Sequence, residues 1–147
     1  MSTHKRGILE KKRLLSIDYG AKRVGIAITD PLRIFAYPLE TLANDSFFWS
    51  NLLKLFSSYE IEKLIIGYPL KEDGSKSSST ELVIKFTEEL QKKVNIPFEY
   101  YDERYSSEIA KERIISSVSS KKKRRDKGLV DKNAAAVILE DYMKESE

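Results

Sequence analysis

The sequence predicts an α/β fold, a mixed β-sheet with helices on both faces. Three observations point there. The first half opens with three short strand-like runs, and the spacing of apolar residues turns helical at Phe48. The second half then alternates compact apolar strands with amphipathic helices. Leu14 to Tyr19 (LLSIDY) and Val24 to Thr29 (VGIAIT) read as neighbouring strands joined by the turn Gly20-Ala21-Lys22-Arg23. A third strand around Ala36 to Thr41 completes a meander. Phe48, Leu52, Leu55, Phe56 and Tyr59 fall on one helical face. Leu64 to Gly67 is wholly apolar, as a buried parallel strand is.

Ser78 and Glu81 have the spacing of a capping box ahead of Leu82, Val83, Phe86 and Leu90. Pro97 to Tyr101 reads as the next strand, Ser107 to Val118 as a helix, and Asp131 to Met143 as the last helix. The resulting order, β-β-β-α-β-α-β-α-α, is that of the ribonuclease H-like fold.

A chain of 147 residues suits one domain. We read residues 1–13 as a basic, loosely ordered tail and 14–147 as a single domain. The absence of cysteine excludes disulfides, thiolate zinc sites and a cysteine nucleophile. The lone His4 lies in the tail, so neither a Ser-His-Asp triad nor a histidine base is available. No apolar run reaches signal-peptide or membrane-span length, which leads us to expect a soluble cytoplasmic protein without a membrane partner. The net charge of +3 hides a concentration: residues 121–132 hold seven basic and two acidic side chains.

Three acidic positions stand out. Asp18 lies at the carboxyl end of the first strand, where open sheets place their sites, and alternation puts it on one face with Leu14 and Ser16. Asp102-Glu103 ends the last strand; adjacent residues point to opposite faces, so one of the two faces Asp18, and periodicity does not choose between them. Asp131 tops the helical stripe of Ala135, Ile138 and Tyr142. Three carboxylates drawn together repel unless cations compensate them. All-oxygen ligands suit Mg2+ or Mn2+ better than zinc, and two such ions about 4 Å apart can activate water and stabilise a leaving oxygen in phosphodiester cleavage.

Basic residues adjoin each position in sequence: Lys22 and Arg23 after Asp18, Arg104 after Glu103, and Lys121, Lys122, Lys123, Arg124, Arg125 and Lys127 before Asp131. They form a candidate surface for nucleic-acid backbone. Gly67-Tyr68-Pro69-Leu70 with Asp73-Gly74-Ser75 forms a strand-exit loop whose amides could cradle phosphate. Simpler roles compete. Asp18 can organise its glycine turn, Asp131 suits a helix N-cap, Glu103 beside Arg104 suits a surface ion pair, and a run of charge suits a solvated loop.

Taken in order, Asp18-Tyr19-Gly20-Ala21-Lys22-Arg23-Val24-Gly25-Ile26-Ala27, Thr29-Asp30-Pro31, Pro38-Leu39-Glu40-Thr41, Gly67-Tyr68-Pro69-Leu70 with Asp73-Gly74-Ser75, Asp102-Glu103-Arg104, and Lys127-Gly128-Leu129-Val130-Asp131 with Ala134-Ala135 resemble the YqgF family. These are pre-16S rRNA nucleases, also described as Holliday-junction-resolvase-like. The resemblance covers nearly the whole chain after Arg13. It implies a ribonuclease H-like fold, trimming of the 5′ end of precursor small-subunit ribosomal RNA, and Asp18, Glu103 and Asp131 as the acidic triad. Tyr68 and Tyr105-Ser106-Ser107 depart from the family's commoner residues at those places.

The expected function is therefore a metal-dependent nuclease. Its partner would be structured nucleic acid, foremost pre-16S rRNA or the pre-ribosomal small subunit, and the chain would act as monomer or homodimer. The alternatives are a Holliday junction resolvase acting on DNA, for which two symmetric cuts favour a dimer, and a non-catalytic rRNA-binding module. A sugar-kinase or actin-type ATPase, suggested by the Asp-x-Gly turn, needs a second such domain for which 147 residues leave no room.

Overall fold

The computed structural model describes residues 12–102 and 127–145, with the side chains of the last helix from Ala134 onward. The helix expected over Ser107 to Val118 lies outside the described residues, as does most of the basic tail.

The described chain folds as β1 (Arg13–Tyr19), β2 (Arg23–Thr29), β3 (Ala36–Ala43), α1 (Phe48–Ser57), β4 (Ile61–Tyr68), α2 (Ser78–Lys93), β5 (Phe98–Asp102) and α3 (Lys127–Glu145). The strands form one sheet in the order β3-β2-β1-β4-β5. The first three pair antiparallel as a meander, while β4 joins β1 and β5 in parallel. A meander followed by crossovers is what tight turns early and long helical connections later must produce.

Alternation along the strands builds two cores. Leu15, Ile17, Val24, Ile26, Ile28, Leu64 and Ile66 face α1 and α2, meeting Phe48, Leu52, Phe56, Val83, Phe86 and Leu90. Leu14, Ala27 and Ile65 face the other way, onto Ala135, Ala136, Ile138 and Leu139 of α3. Large side chains fill the first interface. The second mixes the alanines Ala27, Ala135 and Ala136 with Leu14, Ile65, Ile138 and Leu139. Tyr68, the departure from the family pattern, packs its ring 4.5 Å from that of Tyr100, whose hydroxyl lies 2.6 Å from Thr87 Oγ1 of α2. Its role here is to close the end of the first core.

Three expectations need correction. β1 begins at Arg13, one residue into the stretch read as tail, because the Arg13 amide donates to Glu60 O at 2.9 Å. The capping box of α2 is Ser77 with Thr80, one residue earlier than Ser78 with Glu81. The Thr80 hydroxyl accepts from the Ser77 amide at 2.9 Å and also donates to the Pro69 carbonyl, a second bond that ties the helix start to the β4 exit. Finally, α3 starts at Lys127 rather than near Asp131. Asp131 therefore lies inside the helix and does not cap it. Only Gly128 opposes helix there, at a cost of about 1 kcal/mol relative to alanine, which a 19-residue helix packed on a sheet absorbs.

Candidate active site

Asp18 occupies the carboxyl end of β1, half-buried, on the strand face that carries Leu14 and Ser16. Its cross-strand partner is Gly25 of β2. On the other side, β1 and β4 are matched at Ile17 and Ile66, so one further step along both strands sets Gly67 beside Asp18. The carboxylate is thus flanked on its own face by two residues without side chains, on a sheet that is otherwise filled. Asp18 also lines an open depression of about 350 Å3 together with Gly20, Ala21, Lys22 and Arg23.

The turn lining that depression is tight. A Cβ on Gly20 would lie 2.6 Å from the Arg23 carbonyl oxygen, so only glycine fits there. Lys22, exposed, and Arg23, half-buried, stand in this turn at the same end of the sheet as Asp18. Both line the depression together with Asp18.

Asp102 ends β5 opposite Tyr68. By alternation it shares a face with Phe98 and Tyr100, which belong to the α1–α2 side; Tyr101 belongs to the α3 side. Asp102 therefore points away from the face that carries Asp18. Glu103 and Arg104 lie outside the described residues, as do Lys121, Lys122, Lys123, Arg124 and Arg125. Lys127 and Asp131 are placed by the backbone of α3 alone.

The position of α3 on the sheet is fixed by side chains that sequence reasoning did not assign. Ser16 Oγ, fully buried, donates to the Ala135 carbonyl at 2.6 Å. Near the far end of the helix, the Tyr142 hydroxyl donates to Glu99 Oε2 at 2.8 Å and accepts from Lys63 Nζ at 2.9 Å. The Tyr142 hydrogen bond, and secondly Lys63, lower the Glu99 carboxyl from its ordinary value; the same contacts raise Lys63. Lys63 stands beside Leu14 at the start of the parallel strands. The helix thus runs from over β1 at Ala135 back toward the strand starts at Tyr142. Its N-terminal turns lie toward the strand ends, where Asp18 is. A serine within the apolar run LLSID was the available signal for this anchor, since a buried hydroxyl needs a partner.

Among the described residues, no group of three or more His, Cys, Asp or Glu stands close enough to hold a metal, and no helix is long and apolar enough to cross a membrane.

Known proteins extend these observations. The model of the RuvX family, described as a Holliday junction resolvase, matches residues 12–145. A protein of Prosthecochloris aestuarii named "Putative pre-16S rRNA nuclease" is 38% identical over 138 residues, covering 92% of this chain and 96% of that one. One of the same name from Flavobacterium psychrophilum is 40% identical over 134 residues, covering 89% and 96%. Among solved structures, Thermus thermophilus RuvC in complex with a Holliday junction substrate shares the fold at TM-score 0.59 with 12% identity, over 92% of this chain and 97% of that one. The Fowlpox virus resolvase in complex with Holliday junction DNA does so at TM-score 0.54 with 15% identity, over 91% and 98%. The mixed sheet between two helical layers is accordingly a ribonuclease H-like fold, and the chain belongs to the RuvX/YqgF family that its ordered motifs resemble.

Proposed function

We propose that the chain is a divalent-metal-dependent nuclease that hydrolyses phosphodiester bonds at the 5′ end of pre-16S rRNA in the cytoplasm. The observation that carries this reading is the setting of Asp18: a carboxylate at a parallel strand end, on a floor cleared by Gly25 and Gly67, beside the basic turn of Lys22 and Arg23. Its relatives' shared name supports the same reaction and the same RNA.

Asp18, Glu103 and Asp131 are the proposed metal ligands and catalytic residues. Asp131 sits one helical turn before Ala135, about 6 Å along the axis, and Asp18 sits two residues beyond Ser16, about 6.6 Å along the strand. The Ser16–Ala135 bond therefore draws the two positions toward the same end of the sheet. Glu103 follows Asp102, whose side chain faces the α1–α2 side, which favours Glu103 over Asp102 as the third ligand. The donor set fits hard cations: it is all oxygen, and the floor around Asp18 leaves room beside the carboxylate. Mg2+ or Mn2+ held there would supply charge compensation at the scissile phosphate and an acidified water.

The protein's own share of the work is positioning. Asp18, next to the fully buried Ser16 and Ile17 of the central strand, offers a rigid oxygen ligand. Lys22 and Arg23 at the Gly20 turn, with Arg104, Lys127 and the run Lys121 to Arg125, bind phosphates flanking the cut through charge, without reading bases. Such contacts suit recognition of RNA shape.

Cleavage of a 5′-extended small-subunit rRNA precursor by the purified protein tests this. Metal-dependent cutting that chelator and Asp18→Asn both abolish supports it. Tight binding without cutting, indifferent to metal and to Asp18, replaces it with a binding module. The family model's description favours a second reading, a resolvase acting on DNA four-way junctions. Paired symmetric cuts in a junction, with none in the RNA, would establish that instead.

A further inference from the structure

We infer that Asn44 is a positioning residue for substrate: it clamps the Gly20–Arg23 turn and so sets the placement of Lys22 and Arg23 beside Asp18. The inference rests on the nuclease reading above and extends it to a residue in a different part of the chain.

Asn44 is the first residue after β3, directly beyond the Ala43–Arg23 pair. It grips the turn twice. Its side-chain Nδ2 donates to the Gly20 carbonyl at 2.8 Å, and its backbone amide donates to the Lys22 carbonyl at 2.9 Å. The two acceptors lie at the start and near the end of the four-residue turn, so both ends are fixed from one side chain and its own backbone. Asn44 is itself anchored. β3 precedes it, and Asp45 after it makes a turn leading into α1, accepting from the Phe47 amide through Oδ1 at 2.9 Å and from the Phe48 amide through its carbonyl at 3.1 Å.

Peptide geometry carries the effect to the site. A planar trans peptide points its N–H opposite to its C=O. With the Gly20 carbonyl turned to Asn44, the Ala21 N–H is turned away from it, and Gly20 to Arg23 line the depression that Asp18 shares. Glycine itself leaves this turn conformationally permissive, and no larger residue can stiffen it, because any Cβ at Gly20 would strike the Arg23 carbonyl oxygen. The side chain of Asn44 supplies what the glycine turn lacks: a fixed external donor. Without it, the Gly20 carbonyl is left to water and the peptide can rotate, which moves the two cations relative to Asp18.

The test compares Asn44→Ala and Asn44→Gln with the parent chain, using the 5′-extended rRNA precursor and backbone hydrogen exchange. In Asn44→Ala, exchange at residues 20–23 should rise about tenfold while β4 and α2 stay protected. KM for the precursor should rise about fivefold, the worth of one hydrogen bond, with kcat within about twofold. Asn44→Gln, which keeps an amide donor, should recover part of both effects. Faster turn exchange with unchanged KM would overturn the proposal, since the clamp would then serve only the fold. Unchanged turn exchange would also overturn it. Exchange is read without substrate, so a parent chain that neither binds nor cuts the RNA would show instead that the nuclease reading had failed, and this proposal with it.

Discussion

The hydroxyl of Ser16 on β1 donates to the main-chain carbonyl of Ala135 on α3 across 2.6 Å, in a site closed to solvent. This bond adds a directional link to a strand–helix contact otherwise made by apolar side chains such as Leu14, Ile138 and Leu139. It therefore sets the register between the element carrying Asp18 and the element carrying Asp131.

Replacing Ser16 by alanine should cost about 1 kcal/mol, the net worth of one buried hydrogen bond. For a domain of this size that is a fall in Tm of roughly 3 °C by calorimetry. Nuclease activity should drop by more than the unfolded fraction explains, because α3 loses its register. Activity that tracks only the folded fraction would confine Ser16 to stability.

The acidic residues separate cleanly by substitution. Asp18→Asn, Glu103→Gln and Asp131→Asn should each lower kcat by about a hundredfold or more, the scale of a lost metal ligand in charge stabilisation. Asp102→Asn, on the opposite face of β5, should leave kcat within about twofold. A cleavage assay on all four variants checks this, and an inactive Asp102→Asn beside an active Glu103→Gln would exchange their roles.

The basic run is expected to act through charge alone. Neutralising Lys121 to Arg125 should weaken binding to unrelated RNAs alike and flatten the dependence of log K on log salt by about 0.7–0.9 per phosphate contact removed. Fluorescence anisotropy over a range of salt reads the slope. An unaltered slope would show that this stretch meets no phosphate.

The Tyr142 network makes stability depend on pH in a definite sense. Glu99 has a lowered carboxyl, first through the Tyr142 hydroxyl and second through Lys63, so its contribution is present above its ordinary value near 4.5 and fades as the pH falls through its folded value. Lys63 is raised, so its contribution is present below about 10.5 and fades at still higher pH. Both side chains are partly in solvent, at 50% and 35% exposure, which holds the effect below about 1 kcal/mol. Tyr142→Phe should lower Tm at pH 7 and lower it less at pH 3. Equal losses at both pH values would show that the hydroxyl does not act through Glu99.

Much of this protein is legible in its residues, and the illegible parts share a cause. Strands β1, β2 and β4 show themselves because burial on both faces demands continuous apolar runs, and α1 because Phe48, Leu52 and Phe56 repeat at helical period. Asp18 shows itself because a charged residue ends such a run. The start of α2 was displaced by one residue because Thr80 takes the reciprocal role usually given to Glu or Gln, and Glu81 offered that pattern at the neighbouring position. The start of α3 was displaced because Gly128 reads as loop, and sheet packing overrides so modest a penalty. Asn44 left no trace: its partners are main-chain carbonyls more than twenty residues away, and a main-chain carbonyl has no residue identity to read. Periodicity alone did not choose between Asp102 and Glu103; the resemblance to the family implied Glu103, and the α3-side position of Tyr101 turns Asp102 to the other face.

The bond between Ser16 and Ala135 spans 119 positions of the chain, nearly its full length. During synthesis β1, β2 and β3 can pair before β4 joins β1, and Leu14, Ala27 and Ile65 gain their contacts with α3 only when that helix is made. A nascent or C-terminally cut chain would thus carry Asp18 on an incomplete, sticky platform, without the helix that bears Asp131. The order of synthesis therefore brings α3 onto the sheet after every other described element has been made.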